Sequence, residues 1–341
     1  MKALIVRLSS IGDVVHTLPA LASLRKGGWD IGWLVETPAL TLLDGHPDIM
    51  HLVSLPRSGG VRLATLRATR NLLREQAYDV VLDMQGLWKS AIWARLAGAS
   101  RVVGFAPQWR KEPGSAFLIP EQVNLPEQVT HVVDKNLTLL RSLSIEAVGD
   151  RAFPLPRRQE NIDHVEHGLA EMSIGPFAIL NPGGGWATKL WPAERFGELA
   201  RALKERGLES LVTWGPGEER LADRVVEASG DTARRCFATT LSQYAELARR
   251  ARIVVAADTG PLHLACAVKT PVVALFGPTD PARNGPFDPV DGVVRRVPLC
   301  APCYRRRCTA HDGVMKAIHT DEVLRAIERR LTPGLRAKSH A

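Results

Sequence analysis

Three short segments hold residues whose types and spacing suit group transfer to or from an anionic substrate. The first is Arg7-Leu8-Ser9-Ser10-Ile11-Gly12-Asp13-Val14-Val15-His16, which follows a short hydrophobic run. A small, hydroxyl-rich loop entering a helix presents backbone N–H groups that suit an anion. Asp13 has two readings: a cap or first-turn residue of that helix, or a general base taking a proton from a hydroxyl. His16 reads as a satisfied polar residue before it reads as a partner. The three-glycine dinucleotide pattern is missing, which argues against nicotinamide chemistry.

The second segment is Asn181-Pro182-Gly183-Gly184-Gly185-Trp186-Ala187-Thr188-Lys189-Leu190-Trp191-Pro192. Gly184 and Gly185 let backbone approach phosphate oxygens closely, Lys189 can neutralise a diphosphate, and Pro192 suits a first helical turn. It is not a P-loop, because the GKS/T ending is absent. The third is Ala257-Asp258-Thr259-Gly260-Pro261-Leu262-His263. There Thr259 and Gly260 open a helix whose dipole favours an anion, and His263 lies one turn in, able to donate. Glu219, after Trp214-Gly215-Pro216-Gly217, is placed to accept from ribose hydroxyls.

Cys300, Cys303 and Cys308 approach the spacing of a structural metal site, but a closed site needs four ligands. The stretch that follows offers only His311 or His319. Reduced thiols are the preferred reading, and no metal is expected.

Short β-branched runs alternating with amphipathic stretches must position these segments, a pattern of parallel α/β units. Strands are expected at 2–8, 31–36, 79–84 and 101–105, then at 177–181, 209–213, 252–256 and 271–276. Helices are expected at 13–26, 61–76 and 87–97, then at 192–206, 217–228, 241–250, 260–268 and 321–332. Arg151–Gln159, broken by Pro154 and Pro156, is the best boundary between two doubly wound halves. In such sheets ligands bind beyond the carboxyl ends of the strands, which puts the chemistry between the two halves.

The 341 residues include 44 Lys+Arg and 36 Asp+Glu, for a net charge of +8. The excess divides evenly between the halves, so no basic tail explains it. Between Asp48 and Glu75 there is no acidic residue, yet Arg57, Arg62, Arg67, Arg70 and Arg74 fall there. Arg67, Arg70 and Arg74 would share one helical face, either a solvated face or an anion site. Aromatic residues are only 6% and no nucleic-acid-binding motif is present, so nucleic acid is not the expected partner. No apolar stretch reaches the ~20 residues a membrane span needs. Five cysteines without a secretory signal point to a reducing cytoplasm.

Together the segments resemble glycosyltransferase family 9, the heptosyltransferases of lipopolysaccharide core assembly. The matching text is Arg7–Pro19, Asp83-Met84-Gln85-Gly86-Leu87-Trp88-Lys89-Ser90, Lys189-Leu190-Trp191-Pro192, Asp258–Leu264 and Leu275-Phe276-Gly277-Pro278-Thr279-Asp280-Pro281, in family order across nearly the whole chain. The resemblance implies the GT-B architecture: two Rossmann-like α/β domains facing across a cleft. The acceptor would bind residues 1–158 and the ADP-sugar residues 159–341, the last helix packing back on the first domain. It implies transfer of heptose from ADP-L-glycero-β-D-manno-heptose to an inner-core acceptor, a Kdo-lipid A or heptosyl one. Inversion at the anomeric carbon and no metal or other cofactor are implied as well. The alternative keeps fold and donor but takes a protein or other glycan as acceptor.

Carried over by residue, Asp13 would be the base, Lys189 would hold diphosphate, and Gly184 and Gly185 would add backbone contacts. Thr259, Gly260 and His263 would face diphosphate and sugar, Asp258 the heptose hydroxyls, and Glu219 the ribose. Arg7, Ser9, Ser10 and Gln85 would line the acceptor side, with Arg57, Arg62, Arg67 and Arg70 meeting the acceptor's phosphates. An anionic glycolipid acceptor implies a cytoplasmic protein peripheral at the inner face of the cytoplasmic membrane. Two departures stand out: Gly313-Val314-Met315 replaces a fourth cysteine of some relatives, and glycines replace threonines of first-heptose enzymes at 183–185.

Overall fold

A computed structural model describes residues 1–57, 63–146, 151–301, 303, 305–308 and 313–332. They form two units, Met1–Pro156 and Arg157–Ala341.

The first unit is a six-stranded parallel sheet of β1 (Lys2–Val6), β2 (Asp30–Glu36), β3 (His51–Leu55), β4 (Val80–Asp83), β5 (Arg101–Phe105) and β6 (Glu121–Val123), in the order β3-β2-β1-β4-β5-β6. Its helices are α1 (Ile11–Val15), α2 (Leu18–Lys26), α3 (Thr37–Leu43), α4 (Leu63–Glu75), α5 (Trp88–Leu96) and α6 (Val132–Leu139). The central strands are apolar on both faces: Ala3, Leu4, Ile5 and Val6 have no exposed surface, as a sheet covered on both sides by helices requires.

The second unit repeats the plan with α7 (Gln159–Glu171), β7 (Phe177–Asn181), α8 (Ala193–Glu205), β8 (Glu209–Val212), α9 (Glu219–Ala228), β9 (Ala233–Arg235), α10 (Leu241–Arg250), β10 (Ile253–Ala257), α11 (Gly260–Ala267), β11 (Val272–Phe276), α12 (Pro281–Asn284), β12 (Gly292–Arg295) and α13 (Thr320–Leu331). The order β9-β8-β7-β10-β11-β12 is that of the first sheet, again all parallel. α13 packs on α8, β11 and β12 of its own unit. Trp191, 1% exposed, meets Phe196 edge-on and donates from Nε1 to the Ile318 carbonyl at 3.0 Å. That anchor fixes the chain where the 182–190 loop hands over to α8.

The expected helix over 13–26 is two helices. Pro19 sits near the start of α2, where the missing N–H costs nothing but a continuous preceding turn is disfavoured.

In each sheet the strand order reverses beside the first strand, between β1 and β4 and between β7 and β10. A crevice for ligands opens there at the carboxyl ends. The Arg7–Asp13 and Asp83–Gly86 segments leave β1 and β4, and the 182–189 and 258–263 segments leave β7 and β10. The three segments singled out for chemistry, together with the Asp83–Gly86 stretch that the family resemblance added, therefore fall at the two switch points.

Candidate functional site

At the first switch point, Gln85 ties the two strand ends together. Its Oε1 accepts from the Leu8 N–H at 2.6 Å and its Nε2 donates to Ser9 Oγ at 3.3 Å. The turn beneath it is held by Asp83, whose Oδ1 accepts from the Gln85 and Gly86 amides at 3.1 and 3.3 Å. The other carboxylate oxygen receives Arg110 at 2.5 Å, with both side chains fully buried. Gly86 takes φ +76 against the Arg110 backbone, a conformation and a closeness that favour glycine.

Asp13 is half-buried in the first turn of α1. Its Oδ2 accepts from the Ser10 amide at 3.2 Å and the Ser10 hydroxyl at 3.0 Å. The amides of Leu8 and Ser10, in the loop expected to present N–H groups to an anion, are engaged by Gln85 and Asp13. What the crevice offers is a carboxylate fixed by a serine, beside Ser9 and the Gln85 amide.

Arg7 lies under this loop and not on its surface. It is 5% exposed, with Nε donating to Thr17 Oγ1 at 3.2 Å and the guanidinium also reaching Asn136 Oδ1 at 3.5 Å. His16 is buried, its ring edge-on to His131 at 5.8 Å. Arg57 is exposed after β3; Arg67 is exposed and Arg70 half-buried on α4. Arg62 lies outside the described residues.

At the second switch point a charged cluster is assembled. Lys189 Nζ is 2.6 Å from Asp258 Oδ2 and 3.0 Å from the Asp258 carbonyl, and 4.4 Å from the centre of the Trp186 ring. His263 Nε2 is 3.1 Å from Asp258 Oδ1, and Asn284 Nδ2 donates to the same oxygen. Burial alone would raise the Asp258 carboxyl. The hydrogen bond from His263 and the charge of Lys189 outweigh it and hold the group well below the usual carboxylate range. Asp258, expected to meet sugar hydroxyls, is 4% exposed and serves three protein partners. Its visible work is to orient Lys189 and His263.

Thr259 is the N-cap of α11, and Gly260 with Pro261 forms its first turn, so the helix N-terminus opens at the Lys189–Asp258 pair. Gly184 passes so near Thr259 that a Cβ there would come within 2.9 Å of the threonine methyl. Gly185 has open space around it. Glu219 begins α9 and its Oε1 accepts from the Gly217 amide at 3.3 Å. Its neighbour Glu218 does what sequence did not anticipate. Its two oxygens accept from the Gly184 and Gly215 amides, each at 2.9 Å, joining the loops after β7 and β8.

Sequence reasoning also passed over Asn284, 7% exposed, whose Oδ1 has no partner among the described residues. The only signal for it was its place just beyond the Pro278–Pro281 motif. Arg110 carried no local signal at all, since its partner is 27 residues away.

Cys300, Cys303 and Cys308 gather beside Thr188, Pro278 and Val314, next to the 182–189 loop. The Thr188 hydroxyl donates to the Arg305 carbonyl at 2.7 Å. Among the described residues no group of three His, Cys, Asp or Glu side chains is placed to hold a metal ion; His311 is not among them.

Comparison with known proteins adds a family and relatives. The profile of glycosyltransferase family 9 (heptosyltransferase) matches residues 66–312. Lipopolysaccharide heptosyltransferase 1 of Pseudomonas aeruginosa is 30% identical, over 91% of this chain and 88% of its own. The solved E. coli heptosyltransferase WaaC with ADP-2-deoxy-2-fluoro heptose is 26% identical, with a TM-score of 0.74 over 96% of this chain and 99% of that one. A family 9 glycosyltransferase from Veillonella parvula, 19% identical, superposes with a TM-score of 0.81 over 97% of both chains. The two parallel sheets are those of the GT-B fold.

Proposed function

Given that the chain belongs to glycosyltransferase family 9 (heptosyltransferase), we propose that it moves heptose from ADP-L-glycero-β-D-manno-heptose to an anionic lipopolysaccharide inner-core acceptor, with inversion and without a metal ion. The observation that carries this reading is the Lys189–Asp258–His263 cluster at the mouth of α11. It gathers a cation, a histidine and a helix N-terminus where a leaving diphosphate needs stabilisation.

An inverting displacement needs one base on the acceptor hydroxyl and charge stabilisation on the departing phosphate. In this reading Asp13 takes the hydroxyl proton, with Ser10 holding the carboxylate in place. The acceptor sugar is oriented by Ser9 and Gln85, while Arg57, Arg67 and Arg70 meet its phosphates. On the donor side Lys189 neutralises the diphosphate and His263 donates a hydrogen bond to it as the glycosidic bond breaks, and the Thr259–Gly260 turn and Gly185 add N–H groups. Asp258, itself held by Asn284, keeps Lys189 and His263 oriented, and Glu219 takes the ribose hydroxyls.

With protein groups supplying this positive charge, no cofactor is required. Relatedness to a protein named heptosyltransferase 1 favours the first-heptose acceptor, a Kdo-lipid A, over one already carrying heptose. Such an acceptor would bring the protein to the inner face of the cytoplasmic membrane; among the described residues no helix is long and apolar enough to cross it.

The test is ADP release on mixing the protein with ADP-heptose and deacylated Kdo2-lipid A, with the product identified by mass. Release with this acceptor and not with a heptosylated one supports the reading. Transfer only to a protein or to another glycan would replace the acceptor and keep the donor.

A further inference from the structure

The first unit exposes large apolar side chains on neighbouring elements. Trp88 and Ile92 of α5 are 45% and 44% exposed, and Phe117, in the 113–118 turn that packs on α5, is 90% exposed. Trp88, Ile92 and the exposed Arg95 follow at i, i+4 and i+7, which places them on one helical face. The Trp88 ring lies over the turn, close enough that a Cβ on Gly114 would come within 2.9 Å of it. Beside α5 runs α4, and the two are joined by Arg74 Nε donating to the Leu96 carbonyl at 3.2 Å.

Exposed apolar residues scattered singly need no explanation, but neighbours with a charged rim do. The rim here is cationic, with Arg67, Arg74, Arg95 and Lys111 all exposed. Of the nearby acids, Glu112 accepts the Trp88 N–H at 2.6 Å, and Glu75 closes α4.

We propose that this face of α4, α5 and the 113–118 turn docks on the headgroup region of an anionic phospholipid bilayer. Phe117, Trp88 and Ile92 would enter the interface, and the arginines and Lys111 would meet lipid phosphates. Tryptophan on an apolar face ringed by cations is the composition such interfaces select. A second copy of the chain is the poorer occupant, because symmetric pairing would press one arginine rim against the other. The placement also serves the acceptor proposed above, and this step rests on that reading: Trp88 begins α5 three residues after Gln85, so the docked face adjoins the acceptor crevice.

Cosedimentation with vesicles tests the surface without any turnover. The protein should bind phosphatidylethanolamine vesicles containing phosphatidylglycerol and leave phosphatidylcholine vesicles in solution. Replacing Phe117→Ser with Ile92→Ser should lower partitioning at least about tenfold. Arg95→Glu with Lys111→Glu should lower it by about twentyfold or more, since each basic residue near an anionic surface is worth ~1 kcal/mol, or roughly fivefold. Each variant should keep the wild-type Tm and the wild-type rate on a soluble deacylated acceptor, while losing rate on the same acceptor embedded in vesicles.

Unchanged vesicle binding in these variants, or equal binding to phosphatidylcholine, would overturn the proposal. So would a dimer that the Phe117→Ser, Ile92→Ser variant converts to monomer. Vesicle binding by a wild-type protein that transfers heptose to neither acceptor would support the surface while overturning the acceptor reading.

Discussion

Lys189 Nζ and Asp258 Oδ2 lie 2.6 Å apart, with 13% and 3% of the two side chains exposed. Breaking a buried pair by removing one partner strands the other charge, at about 3–5 kcal/mol. Asp258→Ala should therefore lower Tm by about 10 °C, and Lys189→Met should raise the donor KM by about 10–100-fold, the worth of a hydrogen bond to a charged group. The pH dependence has a definite sign. Asp258 is held below its unfolded value near 3.9, so its contribution is present above that pH and lost as pH falls through the folded value. The stability gap between wild type and Asp258→Asn should be constant at neutral pH and close only in strong acid. A gap that widened with acidification would refute the assignment.

Asp13 shares its Oδ2 with the Ser10 amide and hydroxyl, so a capping role and a catalytic one have to be separated. Asp13→Asn removes the base and keeps the size of the side chain. It should reduce kcat by about 10²–10⁴-fold with ADP affinity unchanged and Tm nearly so. Asp13→Ala should release no ADP above background, and release at the wild-type rate would remove Asp13 from the mechanism.

The strands that sequence anticipated and those it missed divide by position in the sheet. β1, β2, β4, β5, β7, β8, β10 and β11 all fall within a few residues of their expected spans; the four that were missed, β3, β6, β9 and β12, are the four sheet edges. An inner strand of a covered parallel sheet is apolar on both faces and reads as an unbroken run. An edge strand such as Glu121-Gln122-Val123 or Ala233-Arg234-Arg235 has no such run. The site divides in the same way. Loop residues beside strand ends, such as Gln85, Lys189 and Asp258, announce themselves through local motifs. Their supports do not: Arg110 reaches Asp83 from 27 residues away, and Glu218 reaches Gly184 from 34 away. Such distances appear only once the chain has folded.

Arg67 is exposed and Arg70 half-buried on α4, and among the described residues neither has an acidic partner. Arg67→Ala and Arg70→Ala should each raise the KM for a phosphorylated acceptor by about fivefold, the worth of roughly 1 kcal/mol per cation. ADP affinity should stay as it was. Isothermal titration with ADP beside acceptor kinetics separates the two, and an equal loss of donor affinity would sink the acceptor assignment.

His46 ties the chain ahead of the second unit back to the first sheet. Its Nδ1 accepts from the Asp48 N–H at 3.0 Å, so the ring proton sits on Nε2, which donates to the Pro154 carbonyl at 3.0 Å. Burial pushes its pKa down, although the Pro154 hydrogen bond and the charge of Asp48 pull the other way. Protonation would add a hydrogen to the nitrogen already facing the Asp48 amide. A folded pKa below the unfolded value of about 6.5 means that His46 stabilises the protein above that pH, and this contribution is lost as pH falls through the folded pKa. Thermal unfolding followed in small steps on the acid side of pH 6.5 should show Tm rising with pH in the wild type. His46→Gln should have a lower Tm at neutral pH and a flatter slope, because it keeps a polar side chain but does not titrate. If the two slopes are parallel, His46 does not carry the pH dependence.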